Sequence, residues 1–502
     1  MKKFEWKRCA ALLLLLAVLP AACFAVQQYN WYEVFVRSYQ DSDGDGIGDL
    51  QGLIRRLPEL QDMGYNGLWL MPVMPSPSYH KYDVMDYCAI DPEYGTMDDM
   101  RSLVAQAHEK GIAVIIDLPV NHTSTRHPWF EAACEAIRSG GSSPYTEYYH
   151  FSQSNGPACV PLGDTGWFYE EQFSGGGMPD LNLDSEAVRE EIRSILAFWL
   201  QDVGVDGFRL DAVTSFYTGD TDANIAFLRW LKDSCEALKP GSYLVGECWS
   251  GLNTIAEYYA SGVDSFFLFP ASQAEGFIVS SLRGRSKHAE KFARNYQAVL
   301  DAIPDGVLAP FLCNHDTGRT LGSVQGRSNP RIAKFAEGVL NIMGGCVFTY
   351  YGEEIGMVGS GADPNKRLAM YWNDDDMTEQ PPGVTAIEYP YPSYDAQRED
   401  PTSLLRYCKE ANQLRLSVPA LANGKTEFLQ AEGDLLLMKR TDGEDVCLIA
   451  VNFSSADSID CVLPAACDIV GALLVDDGFP VLSDDGLTVT VPSYGIVILT
   501  EK

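Results

Sequence analysis

A (β/α)8 TIM barrel, interrupted after its third strand and followed by a C-terminal β-sandwich, is the fold class that this 502-residue sequence predicts. Three observations lead there. Eight short apolar segments alternate with segments of helical period, as parallel strands and their crossover helices do. The alternation lapses once, between residues 122 and 182. From about Ala420 it changes to short, turn-bounded β segments.

Residues 1–25 read as an export signal. Lys2, Lys3, Lys7 and Arg8 precede an apolar run, Ala10 to Leu19, that is short for a membrane span. Cleavage after Ala25 would release the chain; alternatively, Leu19-Pro20-Ala21-Ala22-Cys23 resembles a bacterial lipobox, which would lipidate Cys23 and anchor the chain to a membrane. An extracellular or cell-surface monomer is expected.

The barrel occupies residues 26–121 and 183–419. Its strands are Trp31–Arg37, Gly67–Met71, Ala113–Leu118, Gly207–Asp211, Tyr243–Glu247, Ser265–Phe269, Ala309–Cys313 and Cys346–Tyr350, apolar on both faces because helices cover them. Between the third and fourth, Val188, Ile192, Ile195, Trp199 and Val203 recur at helical spacing, with Gly204 as a stop. Residues 122–182 carry Gly-Gly, Gly-Pro and Gly175-Gly176-Gly177 without helical period, and form a loop-rich subdomain over the mouth of the barrel. Leu435–Lys439, Val446–Asn452 and Thr488–Val491 supply the sandwich, over 420–502.

Composition removes whole classes of function. With 37 Lys and Arg against 69 Asp and Glu, the net charge is −32, so nucleic acid is not a partner, since that affinity comes from neutralising phosphates. Aromatic residues at 11% exclude a disordered acidic chain. The 13 cysteines show no zinc spacing. Cys134 with Cys159 and Cys461 with Cys467 are candidate disulfides, against buried free thiols as the plainer reading.

Four strand ends carry a carboxylate: Asp117, Asp211, Glu247 and Asp316. In such a barrel the carboxyl ends of the strands converge on one mouth. Asp211 and Glu247 lie 36 residues apart, about one βα unit. Paired carboxylates there suit glycosyl transfer, in which one ionised group attacks the anomeric carbon and one protonated group supplies the leaving oxygen with its proton. Arg209, two residues before Asp211 on one strand, points the same way and can hold it ionised. Glu247 has no adjacent cation in sequence and suits the acid.

The segments DLPVNH, MPDLN, GFRLDAV, GECW and FLCNHD, each at its strand, resemble the α-amylase family of retaining glycoside hydrolases over essentially the whole mature chain. The resemblance implies Asp211 as nucleophile, Glu247 as acid/base, and Asp316 as the group that binds sugar hydroxyls and stabilises the transition state. It implies Arg209, His122 and His315 around the same sugar, with Asp117 more structural. Tyr82 would stack on that sugar and His80 would hydrogen-bond it. Asp363 and Arg367 would contact the next one, pairing with each other. Asp41, Asp43, Asp45, the Ile47 carbonyl and Asp49 alternate around Gly46 in the spacing that wraps a hard cation. In the oligo-glucosidase-like branch such a loop holds structural Ca²⁺. The family's other calcium site uses the position of Asn121, and its carbonyl contributor falls near Ser215 in a changed motif, which leaves that site open.

MPDLN resembles the branch between neopullulanases and oligo-1,6-glucosidases, Ala212 resembles α-1,4-acting members, and Tyr79-His80 resembles open-cleft amylases. Thr214-Ser215 replaces the Lys-His pair of many amylases. The first reading is a secreted, endo-acting hydrolase of α-1,4 bonds in starch and maltooligosaccharides. The second is an oligosaccharide α-glucosidase, oligo-1,6-glucosidase-like or neopullulanase-like, or a transglycosylase. The third is a non-catalytic glucan-binding barrel, which the intact Asp211, Glu247 and Asp316 oppose.

Overall fold

All eight expected barrel strands form in the computed structural model, which describes residues 29–173, 175–283, 286–324 and 326–502. The expected export signal and the lipidation at Cys23 lie outside these residues. We label the strands β1 (Asn30–Val34), β2 (Gly67–Leu70), β3 (Ala113–Leu118), β4 (Gly207–Leu210), β5 (Tyr243–Gly246), β6 (Ser265–Phe267), β7 (Val307–Ala309) and β8 (Val347–Tyr350). They run in the order β7-β6-β5-β4-β3-β2-β1-β8, every pairing parallel. A bridge from Phe311 to Phe348 joins the two ends, and Cys346 N–H donates to the Leu308 carbonyl at 2.8 Å.

The sixth strand stops two residues early, at Phe267, and two others differ more from expectation. The first stops at Val34, and Val36–Ser38 coils into a 3-10 turn. The seventh is Val307–Ala309 rather than Ala309–Cys313, because Pro310 has no N–H to continue the ladder. Both changes fall at the mouth, where the backbone leaves the sheet and side chains turn inward.

Capping residues start the helices where the sequence supplies them. Asp49 accepts the Gly52 N–H at 2.7 Å and opens Leu50–Asp62, while Thr96 and Asp99 form a reciprocal capping box for Met97–Glu109. The helix after residue 185 runs Glu186–Ala197, widens into a π turn at Phe198–Val203, and ends at Gly204 with φ +93°.

Residues 122–182 are less irregular than expected. Pro128–Ser139 is a helix, opened by His127 and closed by Gly140, and it buries Phe130, Ala133 and Cys134. A period this short was hidden among flanking Gly and Ser. Three short antiparallel strands, Phe151–Ser152, Cys159–Pro161 and Phe168–Glu170, pack against it, with Phe130 edge-on to Tyr149 and Tyr169. Bridges from His122 to Asp180 and from Tyr149 to Leu181 fasten this layer beside β3.

C-terminal to the barrel lie a five-stranded and a three-stranded antiparallel sheet. Leu437, Leu448, Cys461, Val489 and Leu499 fill the core between them. Two buried arginines bind this layer to the barrel through carbonyls: Arg440 of the sheet donates to Ile342 at 3.2 Å, and Arg415 of the barrel's last helix donates to Leu421 at 3.4 Å. Cys134 and Cys159 form no disulfide, and neither do Cys461 and Cys467. Cys461 and Cys467 are instead buried as small apolar side chains in the sandwich core.

Candidate active site

Arg209 is the centre around which the acidic groups gather. It sits on β4 in register with Asp117 on β3 and Val245 on β5, fully buried. Its Nη1 lies 2.8 Å from Asp117 Oδ1 and 2.6 Å from Asp211 Oδ1, and its Nη2 lies 2.9 Å from Glu247 Oε2. One guanidinium therefore faces three carboxylates from three adjacent strand ends. Glu247 has no cation beside it in sequence, and its cationic neighbour comes from across the sheet rather than along the chain.

The protonation balance differs between the carboxylates. Burial pushes Glu247 up, the charges of Asp211 and Asp316 add to this, and Arg209 and the Ala212 N–H oppose it; the result is about 8. Asp117 is raised by burial to about 6, with Arg209 opposing. Burial also works against ionised Asp316, but His315, Arg367 and Arg209 overcome it and hold the carboxyl far below the usual range. Ala212 takes φ +45°, a strained value for a residue with a side chain, and its N–H donates to Glu247 Oε2 at 3.0 Å.

A second group closes the opposite wall. Tyr82, from the loop after β2, donates its O–H to Asp117 Oδ2 at 3.0 Å and lies 2.7 Å from His315 Nε2. The same Nε2 is 2.9 Å from Asp316 Oδ2, and Nδ1 is bonded to Glu33 of β1. Arg367 Nη2 pairs with Asp316 Oδ1 at 2.8 Å, and its Nη1 donates to the Tyr79 hydroxyl at 3.4 Å. Arg367 does not pair with Asp363. Asp363 instead meets Lys366 one helical turn on, at 2.9 Å, because Arg367 is turned inward and nearly buried. His122 and His80 are both lowered by burial, and His80 Nδ1 accepts the Tyr82 N–H at 3.2 Å.

These side chains surround a cleft of about 380 Å³. Of the expected residues, His80, Tyr82, His122, Asp211, Glu247, Asp316, Asp363 and Arg367 line it, with Arg209 and His315 packed immediately behind. Beside the Thr214-Ser215 pair singled out in the sequence, the site holds residues that sequence reasoning missed. Phe173 and Met178 arrive from the inserted layer, Trp249 follows β5, and Glu33 lies under His315. Trp249 is half exposed and stacks on Phe269 at 4.9 Å, and its place at the end of GECW, two residues past Glu247, was the available signal. Gln172 ties the inserted layer to the loop after β4, donating to Ser215 Oγ at 2.8 Å.

The acidic loop after β1 lies apart from this cleft. Asp41, Asp43 and Asp49 place one carboxylate oxygen each within 4.8 Å of one another. Asp45 stands outside that cluster, its Oδ1 accepting the Ile47 N–H at 2.7 Å. Gly44 and Gly46 take φ near +90°, which lets successive N–H groups turn towards Asp41. At Asn121 the amide Nδ2 donates to Asp180 Oδ1 at 3.0 Å.

The sequence family described as "Alpha amylase, catalytic domain" matches residues 33–424. The chain is 39% identical over 438 residues to "Alpha-amylase 3" of Dictyoglomus thermophilum, covering 84% of each chain. It is 29% identical over 500 residues to "Probable alpha-glucosidase" of Rhizobium meliloti, covering 84% of this chain and 88% of that one. Among solved structures, Eubacterium rectale Amy13B superposes with a TM-score of 0.90 at 40% identity, over 95% of this chain and 96% of that one. The alpha-amylase from H. orenii does so with a TM-score of 0.82 at 32% identity, over 95% and 99%.

Proposed function

Since the chain belongs to the α-amylase family of retaining glycoside hydrolases, which act on α-glucans, we propose that it cleaves α-1,4 bonds within starch and maltooligosaccharides. The observation that carries this reading is the pair on Arg209: Asp211 ion-paired at 2.6 Å, and Glu247 pushed up to about 8, together at the floor of an open cleft. Asp211 attacks the anomeric carbon as a carboxylate while Glu247 passes its proton to the departing glucosyl oxygen. Glu247 then takes a proton from the water that releases the glycosyl-enzyme, so the α configuration is retained. Tyr82 offers its ring to the face of the sugar held there, and Asp316 accepts from its hydroxyls.

Internal cleavage is supported by the walls of the cleft, which extend past Asp316 through His80, Asp363 and Arg367. A specific observation favours the second reading, transfer to another sugar or attack on short oligosaccharides. The other wall of the cleft is built by Phe173, Met178, Thr214, Ser215 and Trp249, a mostly apolar set that could shelter an acceptor from water. Export through the N-terminal signal suits a polymeric substrate. We also propose Ca²⁺ in the loop after β1. The oxygens of Asp41, Asp43 and Asp49 fit a hard cation, and bound there the ion would brace the loop that caps Leu50–Asp62.

The test is product analysis on amylose. Internal cleavage should collapse iodine staining before much reducing sugar appears, and NMR should show α anomers first. Glucose as sole early product would put the oligosaccharide-glucosidase reading in its place, and initial β product would refute retention.

A further inference from the structure

His315 lies between acceptors on both sides. Its Nδ1 faces Glu33 Oε1, and its Nε2 faces Asp316 Oδ2 at 2.9 Å and the Tyr82 oxygen at 2.7 Å. The Tyr82 proton is already committed, because its O–H donates to Asp117 Oδ2 at 3.0 Å. The Tyr82 oxygen must therefore accept from His315 as well. An ionised carboxylate accepts and cannot donate, so both ring nitrogens of His315 carry a proton. Glu33 is buried on β1, its carboxylate directed at the His315 ring.

We propose that Glu33 is a positioning residue that keeps His315 doubly protonated, and through it keeps Asp316 ionised and the Tyr82 hydroxyl turned to Asp117. This rests on the hydrolase reading above. The groups facing His315 come from every surrounding strand end. Glu33 is on β1, Tyr82 follows β2, Asp117 is on β3, Asp316 follows β7, and Arg367 after β8 donates to the His315 carbonyl at 3.2 Å. Arg209 of β4 reaches the Tyr82 oxygen at 3.4 Å. Although burial lowers His315, Asp316 and Glu33 outweigh it and raise the imidazole to about 9, above the value for Glu247. In the intact protein both groups therefore stay protonated through neutral pH.

Glu33→Gln retains shape and a carbonyl acceptor but removes the charge. A neighbouring carboxylate moves a pKa by roughly one to three units. His315 should then titrate at or below Glu247, and the alkaline limb of kcat/KM on maltotriose should move down, by up to about two pH units. Glu33→Asp, which keeps the charge, should restore much of the limb. Imidazole NMR of the wild type, with His315 assigned by its loss in His315→Gln, should show the cation persisting beyond pH 8. A Glu33→Gln profile that superposes on the wild type, or falls equally at every pH, overturns the proposal. If Glu33→Gln does not fold, a wild-type His315 that is neutral below pH 8 overturns it. Failure of the hydrolase reading would appear separately, as a wild type inactive on α-glucans.

Discussion

Replacing Glu247 with Gln should make the protein more stable while it stops catalysis, and by an amount that depends on pH. In the unfolded chain Glu247 has its ordinary value of 4.5, and the fold pushes it to about 8 through burial and the charges of Asp211 and Asp316. Between those values the unfolded state has released a proton that the folded state retains. Stability therefore falls as pH rises, by about 1.4 kcal/mol per unit, beginning near the unfolded value and levelling off near the folded one. Near pH 7 the accumulated loss is about 3 kcal/mol. Glu247→Gln removes the ionisation and can still face Arg209 with its carbonyl. At about 2.1 cal/mol/K per residue, this corresponds to a rise in Tm of about 3 °C for a chain of this size. Scanning calorimetry of both proteins from pH 4.5 to pH 8 should show the gap opening steadily across the range. A gap that stays constant or narrows would refute the assignment of a neutral, buried Glu247.

Asp43→Ala should lower Tm and abolish its rise on adding Ca²⁺; native-state binding is worth about 2.7 kcal/mol at a hundredfold excess over Kd, and an undiminished calcium response would place the ion elsewhere. Arg367→Ala removes a partner from Asp316 and Tyr79, so kcat/KM should fall on every substrate and fall further on maltotriose than on activated single-glucose substrates. Trp249→Ala should raise KM for long glucans about tenfold through lost stacking, with little change on activated single-glucose substrates.

The carboxylates of the site were legible because barrel closure converts a spacing of one βα unit into neighbourhood. Arg209 and Asp211 were legible because two residues along a strand share a face. Contacts between strands were not legible to the same degree. The approach of Arg209 to Glu247 depends on the β4–β5 register, which no local pattern encodes. Glu33 sits within an apolar run and carries no motif, so only its burial against His315 identifies it. Phe173 and Trp249 depend on the course of loops, and the helix Pro128–Ser139 is too short for its period to stand out from its Gly-rich and Ser-rich setting.

The barrel is not equally firm around its circumference. β1 meets β2 and β8 over four residues each, whereas among the described residues β7 reaches β8 through the Phe311–Phe348 bridge and the bonds of Cys346 and Phe348 to Leu308 and Pro310. Pro310 shortens β7 at this seam, so hydrogen exchange should find its earliest local opening there, well below the energy of global unfolding. The seam runs up to His315 and Asp316 on one side and, across β8, to Glu33 on the other. The wall that grips the sugar hydroxyls is thus the compliant one, while Asp211 and Glu247 stand where four-residue ladders join β3 to β4 and β4 to β5.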